Sequence, residues 1–141
     1  MPKIMKSMNR ISRCQAMFRG KNLEAVCPCH HAFVFSICRS PGHSQEQLAR
    51  ELCLNKSTVA RTLSQLEDAG LVRRDPNPED KRQSLVYPTD KMLEILPEVK
   101  ALAENWNALI SEGVSIDDME IFEKVLVKLE SNALRAIGGE E

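Results

Sequence analysis

One segment of the chain has the residue types and spacing to contact a nucleic acid. In it, Val59 repeats with Leu63 and Leu66 at the spacing of the buried face of a helix. The polar side chains expected on the other faces are Lys56, Ser57, Thr58, Arg61 and Thr62. An arginine can pair bidentately with guanine, hydroxyl groups can bond base edges or phosphates, and a lysine suits a phosphate. The alternative is that the hydroxyl groups only cap the helix and that the arginine is an ordinary solvated residue.

A short hairpin with a basic tip is expected immediately after this helix. Gly70 ends the helix, residues 71–74 form one strand, residues 76–81 form the loop, and residues 83–87 form the returning strand. Near the tip lie Asp80, Lys81 and Arg82. A guanidinium there can enter a narrow minor groove, while the acidic residue holds the loop or orients the arginine. An ordinary charged hairpin tip is the alternative.

Polar groups next to this helix and hairpin are further candidates for phosphate contacts. Ser44 opens an earlier helix with Gln47 at capping-box spacing, and the backbone N–H groups of Ser44 and Gln45 can face a phosphate. Arg73 and Arg74 alternate across the first strand, so at most one should face a nucleic acid, and Arg74 is the candidate. Two helices followed by a hairpin are the layout of a winged helix-turn-helix, which places its second helix in the major groove.

Helices with wide apolar faces are expected on both sides of the winged unit. Before the winged unit, residues 5–18 have roughly helical spacing that ends at Gly20, and residues 31–38 suit a short buried helix. After it, Thr89 caps a long helix that contains Pro97, and Ser115 begins the last helix. The winged unit is too small to cover the outer faces, so we expect a homodimer. Packing of these helices on the winged unit itself is the alternative.

The predicted fold class is therefore mainly α with a small β-hairpin wing. The pattern indicates one domain over residues 1–141, with the winged helix-turn-helix at about 30–88 and dimerisation helices at about 1–25 and 89–138.

A cluster of cysteine and histidine residues is a separate candidate for chemistry. Thiols and imidazoles bind zinc or copper, but the spacing is tighter than in usual zinc motifs, and adjacent histidines point to different faces of a helix. No metal is assigned, and the weak candidates are Cys27, Cys29, His30 and His31. There are two other interpretations of the cluster. One is a structural role, with buried thiols and a surface histidine, and the other is thiol redox sensing.

The remaining cysteines suit reduced thiols. Cys14 lies near Arg10 and Arg13, which can lower a thiol pKa, so it is the redox candidate. Cys38 and Cys53 are expected to be small apolar core residues. Five cysteines are an odd number, so a disulfide framework is not expected.

Charge and hydropathy narrow the class of function. Residues 1–43 have a net charge of +6, residues 44–88 of zero and residues 89–141 of −7, so the acidic end should face away from DNA. No apolar run reaches the roughly 18 residues of a membrane span, and no secretory signal is visible, so we expect a cytoplasmic protein with no membrane partner. Catalytic motifs are not visible either, so an enzyme and a cofactor are not expected.

The chain resembles the MarR family of bacterial transcriptional regulators. The resemblance is carried by residues 44–49 and 55–74, by the Asp-x-Arg signature at residues 80–82, and by residues 86–89 and 96–99. It implies a triangular homodimer that binds double-stranded DNA at a palindromic operator, usually as a repressor. It also implies release by a small aromatic or phenolic effector, held in a cleft between the dimerisation helices and the winged unit.

By residue matching, the resemblance places recognition at Ser57, Thr58 and Arg61 and wing contacts at Asp80 and Arg82. The chain departs from the family pattern at Pro88 and residues 90–91, and in the cysteine and histidine cluster. Some members of the family sense peroxide through a cysteine of the N-terminal helix or sense zinc. Two alternative functions therefore remain. One is a redox- or metal-responsive regulator that acts through Cys14, Cys27 or Cys29, and the other is a winged-helix protein-interaction module.

Overall fold

The computed structural model describes residues 2–22 and 30–138. Within these ranges the elements, in chain order, are α1 (Pro2–Asn22), α2 (His31–Arg39), β1 (His43–Ser44), α3 (Gln45–Leu52), α4 (Lys56–Asp68), β2 (Val72–Pro76), β3 (Ser84–Pro88), α5 (Asp90–Ile110) and α6 (Ile116–Ala136). This architecture confirms the predicted fold class of a mainly helical chain with a small hairpin wing. Helix α1 runs two residues past the predicted end at Gly20, where the Asn22 side chain donates to the carbonyl of Phe18.

The wing belongs to a three-stranded antiparallel sheet with strand order β1-β3-β2. Strand β2 pairs with β3 from Val72 opposite Pro88 to Pro76 opposite Ser84, so each strand begins one residue later than the sequence predicted, and the first ends two residues later. Strand β1 was not predicted, because two residues cannot show an alternating pattern. Its His43 lies opposite Val86 and anchors the start of α3 to the sheet.

The hydrophobic core holds α4 in place. Its buried members come from α2, α3, α4, the sheet and α5, and include Leu48, Val59, Leu63, Val86 and Met92, each at most 1% exposed. The inward orientation predicted for α4 is thereby confirmed. Burial of several aliphatic side chains on one face of a helix fixes its rotation, so the opposite face is presented in a defined orientation.

Side-chain caps begin three of the helices as predicted. The Ser44 hydroxyl accepts from Gln47 N–H in a complete capping box, Asn55 caps α4, and the Ser115 hydroxyl accepts from Asp118 N–H at the start of α6. The predicted burial of Cys53 was wrong, because this residue ends α3 in the left-handed conformation at φ 53° with an exposed side chain. Cys38 is half-buried and packs against the core.

The chain divides into two compact units, Met1–Glu104 and Asn105–Glu141. In the first unit, α1 exposes Met5, Ile11 and Met17. In the second unit, α6 exposes a row of large apolar side chains, Ile121, Phe122, Val125 and Val127. None of the helices in the described ranges combines the length and the apolar character needed to cross a membrane.

Candidate nucleic-acid interface

The first turn of α4 is held by Asn55. Its Oδ1 accepts the backbone N–H of Thr58 at 2.8 Å and the hydroxyl of Ser57 at 2.9 Å. Asn55 and Ser57 are both residue types that favour helix N-caps, and the structure assigns the cap to Asn55. Ser57 and Arg61 are exposed and Thr58 is half-buried. The start of α4 is therefore both rigid and accessible, which a helix that enters a major groove requires.

Thr62 is not on the accessible face of α4. It is only 7% exposed and belongs to the buried set of the helix with Val59, Leu63 and Leu66. Position 62 lies three residues after Val59 and four before Leu66, so it falls on the buried stripe. The prediction that Thr62 faces outward was wrong, although this spacing was visible in the sequence.

The tip of the wing is held by its own polar side chains and presents Arg82 outward. Asp80 Oδ1 accepts the backbone N–H of Arg82 at 3.1 Å and lies 3.5 Å from its Nε atom. Asn77 Oδ1 accepts the backbone N–H of Glu79 at 3.0 Å. The Arg82 side chain is 93% exposed, and Lys81 is exposed beside it. Asp80 thus fixes the backbone from which the Arg82 guanidinium extends.

Arg74 joins the wing to the helices. Its guanidinium donates to Glu67 Oε1 at 3.1 Å, to Ser64 Oγ at 3.3 Å and to Gln45 Oε1 at 3.2 Å, and its side chain is only 24% exposed. The hydrogen bonds from Arg74 lower the pKa of the Glu67 carboxyl. These contacts engage Arg74 with α3 and α4, so the geometry favours a positioning role over the predicted contact with DNA.

Arg73 is also bound within the wing. Its Nε atom lies 3.1 Å from Asp75 Oδ2, and its guanidinium carbon lies 5.0 Å from the centre of the Tyr87 ring. An arginine at that distance over an aromatic ring is attracted by the ring's negative face. Of the arginines in the hairpin, Arg82 is therefore the one that extends furthest into solvent.

The start of α3 differs from the prediction in one respect. Ser44 is 5% exposed, and its backbone N–H donates to Gln47 Oε1 at 2.8 Å. Because that N–H is occupied by the capping box, Ser44 does not offer it to a phosphate. The side chain of Gln45 accepts a hydrogen bond from Arg74. Ser44 and Gln45 therefore stabilise the helices and strands of the interface through contacts within the protein.

A groove separates the start of α4 from the wing. Its volume is about 190 Å³, and its lining is Gln45, Glu46, Lys56, Arg82, Gln83 and Ser84. Lys56 Nζ lies 3.0 Å from Glu46 Oε1, and Gln83 Nε2 lies 3.5 Å from Glu46 Oε2. The sequence reasoning missed Glu46 and Gln83, because nothing in the local pattern brings residues 46, 56 and 83 together.

The cysteine and histidine cluster is only partly described. Cys27 and Cys29 lie outside the described residues, whereas His30 and His31 are both buried, so the predicted surface histidine was wrong. Burial, with smaller contributions from Arg19 and His30, lowers the pKa of His31 to about 4. Across residues 2–22 and 30–138, no group of three or more potential ligands could hold a metal ion. Cys14 is exposed.

Comparison with known proteins agrees with this geometry. The MarR family model matches residues 30–84. The crystal structure of MarR is 29% identical, with 96% of this chain and 93% of that one covered and a TM-score of 0.85. A MarR transcriptional regulator from Methanosarcina mazei Go1 is 27% identical, with 96% and 99% covered and a TM-score of 0.87.

A more distant structure shares the fold. PcaV from Streptomyces coelicolor, solved in complex with its natural ligand, is 20% identical, with 89% of this chain and 90% of that one covered and a TM-score of 0.80. The family match covers the helices and the wing strand that build the interface, and the structural matches extend it over nearly the whole chain. Residues 30–84 therefore match the MarR family model, and the fold of nearly the whole chain is that of MarR-family transcriptional regulators.

Proposed function

We propose that this protein regulates transcription by binding double-stranded DNA, with α4 in the major groove and Arg82 in the adjoining minor groove. The observation that carries the proposal is the pairing of a capped, core-anchored helix with an outward-pointing arginine on the neighbouring wing. Such a unit needs a rigid reading helix and a cation that reaches the narrow groove, and both are present.

Roles follow from exposure and partners. Ser57, Thr58 and Arg61 are assigned to base edges, because they lie at the start of α4. Phosphate contacts are assigned to the lysines, Lys56 and Lys81, which act as point charges. The proposal excludes three predicted contacts for which the structure gives another role: Thr62 in the core, Ser44 in the capping box and Arg74 as the link between wing and helices.

We further propose that the protein acts as a homodimer. In each unit a helix exposes large apolar side chains, such as Met17 at 65% in α1 and Ile121 at 60% in α6. Exposed apolar faces of this extent usually bury against another surface, and a second copy satisfies both at once. A twofold dimer would bind a palindromic operator, because each winged unit then meets the same half-site.

The finer details of regulation are part of the same proposal. We propose repression that is relieved by a small aromatic or phenolic effector. Only the involvement of some ligand is supported by a comparison, because PcaV shares the fold and was solved with its natural ligand. A DNA-binding regulator would act in the cytoplasm. The winged unit would span about residues 30–88, with the dimerisation helices at about 1–25 and 89–138.

The experiment uses the full chain. Genomic fragments retained by the purified protein are recovered, and the affinity for one fragment and for its scrambled sequence is measured by fluorescence anisotropy at several salt concentrations. We expect preference for an inverted repeat and an affinity that falls steeply with salt. Arg61→Ala should reduce the preference between the two sequences, whereas Arg135→Ala, a matched change in α6, should leave it unchanged. Failure to retain any fragment even at low salt would refute the proposal.

A further inference from the structure

The groove between α4 and the wing holds one acidic side chain among its lining residues. Glu46 lies there with Lys56 and Arg82, and its side chain is about half exposed. When a recognition helix enters the major groove and a wing reaches the adjoining minor groove, the phosphodiester strand between the two grooves passes between helix and wing. A carboxylate in this position faces a like charge, which weakens binding unless the carboxylate has another role.

The contacts of Glu46 indicate that role. Its two oxygens accept from different donors, Lys56 Nζ at 3.0 Å and Gln83 Nε2 at 3.5 Å. One donor belongs to the first turn of α4 and the other to the wing. A phosphate offers the same arrangement, an anion with oxygens that accept from separate donors. In the DNA-free protein the carboxylate therefore occupies the donors that a backbone phosphate would use.

We propose that Glu46 is an intramolecular competitor for the DNA backbone, which holds Lys56 and Gln83 until a phosphate displaces it. The proposal rests on the DNA-binding function inferred above. Part of the electrostatic attraction to any duplex is then offset by the loss of the Glu46 contacts. Because phosphate contacts are independent of sequence, Glu46 lowers binding to operator and non-operator DNA alike.

The test is a double-mutant cycle with Glu46→Gln and Lys56→Gln, measured on the retained fragment and on its scrambled sequence. Freeing one lysine from an exposed ion pair should tighten binding by about fivefold for each bound winged unit. The salt slope should stay nearly the same, because in the complex Lys56 neutralises the same phosphate in both proteins. In the Lys56→Gln background most of the gain from Glu46→Gln should disappear, since there is no ammonium group left to free and only the neutral Gln83 amide is released.

Two controls separate this mechanism from others. Asp68→Asn removes the same charge from an exposed position in the last turn of α4, three turns from Lys56, and should not alter affinity or slope. Thermal unfolding of each variant checks that the winged unit is intact. A gain from Glu46→Gln that is as large without Lys56 as with it would show simple repulsion and overturn the proposal, as would an unchanged affinity.

Weaker binding of Glu46→Gln to the retained fragment alone would also overturn it, because Glu46 would then be reading a cytosine. If the wild-type chain retains no DNA, the DNA-binding function itself fails. That result differs from a failure confined to Glu46, in which the wild type binds and the variant binds no better.

Discussion

Replacing Asn55 with alanine should loosen the first turn of α4 without removing any group assigned to DNA. Asn55 Oδ1 accepts two hydrogen bonds, from Thr58 N–H at 2.8 Å and from the Ser57 hydroxyl at 2.9 Å. Loss of an N-cap of this kind lowers the free energy of unfolding by about 1 kcal/mol. For a chain of this size the melting temperature should fall by about 3 °C. The affinity for DNA should fall by up to about fivefold, because binding must order the turn again.

The assay is urea unfolding followed by circular dichroism, with all variants at one protomer concentration because dimer stability depends on it. Asn55→Asp keeps an acceptor at the cap and places a negative charge at a helix N-terminus, so the stability should be retained. The same variant should bind DNA more weakly, because its charge lies beside the lysine at the start of α4. Asn55→Gly should lose only a few tenths of a kcal/mol.

Two results would contradict this reasoning. An unchanged urea midpoint for Asn55→Ala would mean that the cap does not stabilise α4. Equal destabilisation by Asn55→Ala and Asn55→Asp would mean that the amide group, and not its acceptor oxygen, is what the helix requires.

Three further predictions concern the wing, the core and the buried histidine. Arg82→Ala should weaken DNA binding by about tenfold on operator and scrambled sequences, a loss expected for a desolvated arginine contact. The urea midpoint of this variant should stay unchanged because the Arg82 side chain is 93% exposed, and an unaltered affinity in low salt would show that Arg82 is not part of the interface. Leu63→Ala should lower the free energy of unfolding by about 3 kcal/mol, because Leu63 is fully buried and the substitution leaves a cavity; a loss in urea titrations below about 1 kcal/mol would contradict the packing of α4. Burial lowers the pKa of His31 to about 4, so between pH 4 and the ordinary value of 6.5 the unfolded chain binds more protons than the folded one, and the stability conferred by neutral His31 is present above pH 6.5 and declines as the pH falls toward 4. In His31→Phe this part of the pH dependence should disappear from the urea midpoints, and an unchanged profile would show that His31 is not the group responsible.

The elements that carry the interface were largely predictable from the sequence. The cap at Asn55, the buried stripe of α4 and the turn at Gly70, which has a φ of 74°, all depend on residues within a few positions of one another. Thr62 shows the limit of reasoning from residue type, because a threonine suits DNA as well as it suits a half-polar core position. Only its place on the stripe decided between them.

The availability of each cation could not be predicted in the same way. Arg74 and Arg82 look equivalent in the sequence, yet Arg74 is held by Gln45, which lies 29 positions earlier, while Arg82 extends into solvent. Lys56 is likewise paired with Glu46 across the turn between α3 and α4. These pairings arise when separate elements pack together, so no local pattern encodes them.

Residue order alone is therefore enough to specify the helices, their caps and the hairpin, because each is stabilised by hydrogen bonds and apolar contacts between near neighbours in the chain. The packing of α3, α4 and the sheet determines which charged side chains remain accessible and where an acidic residue lies among them. The physical reason is that a charge is neutralised by whatever group lies within a few ångströms of it in space. For Arg74 and Lys56 that group comes from a different element of the fold.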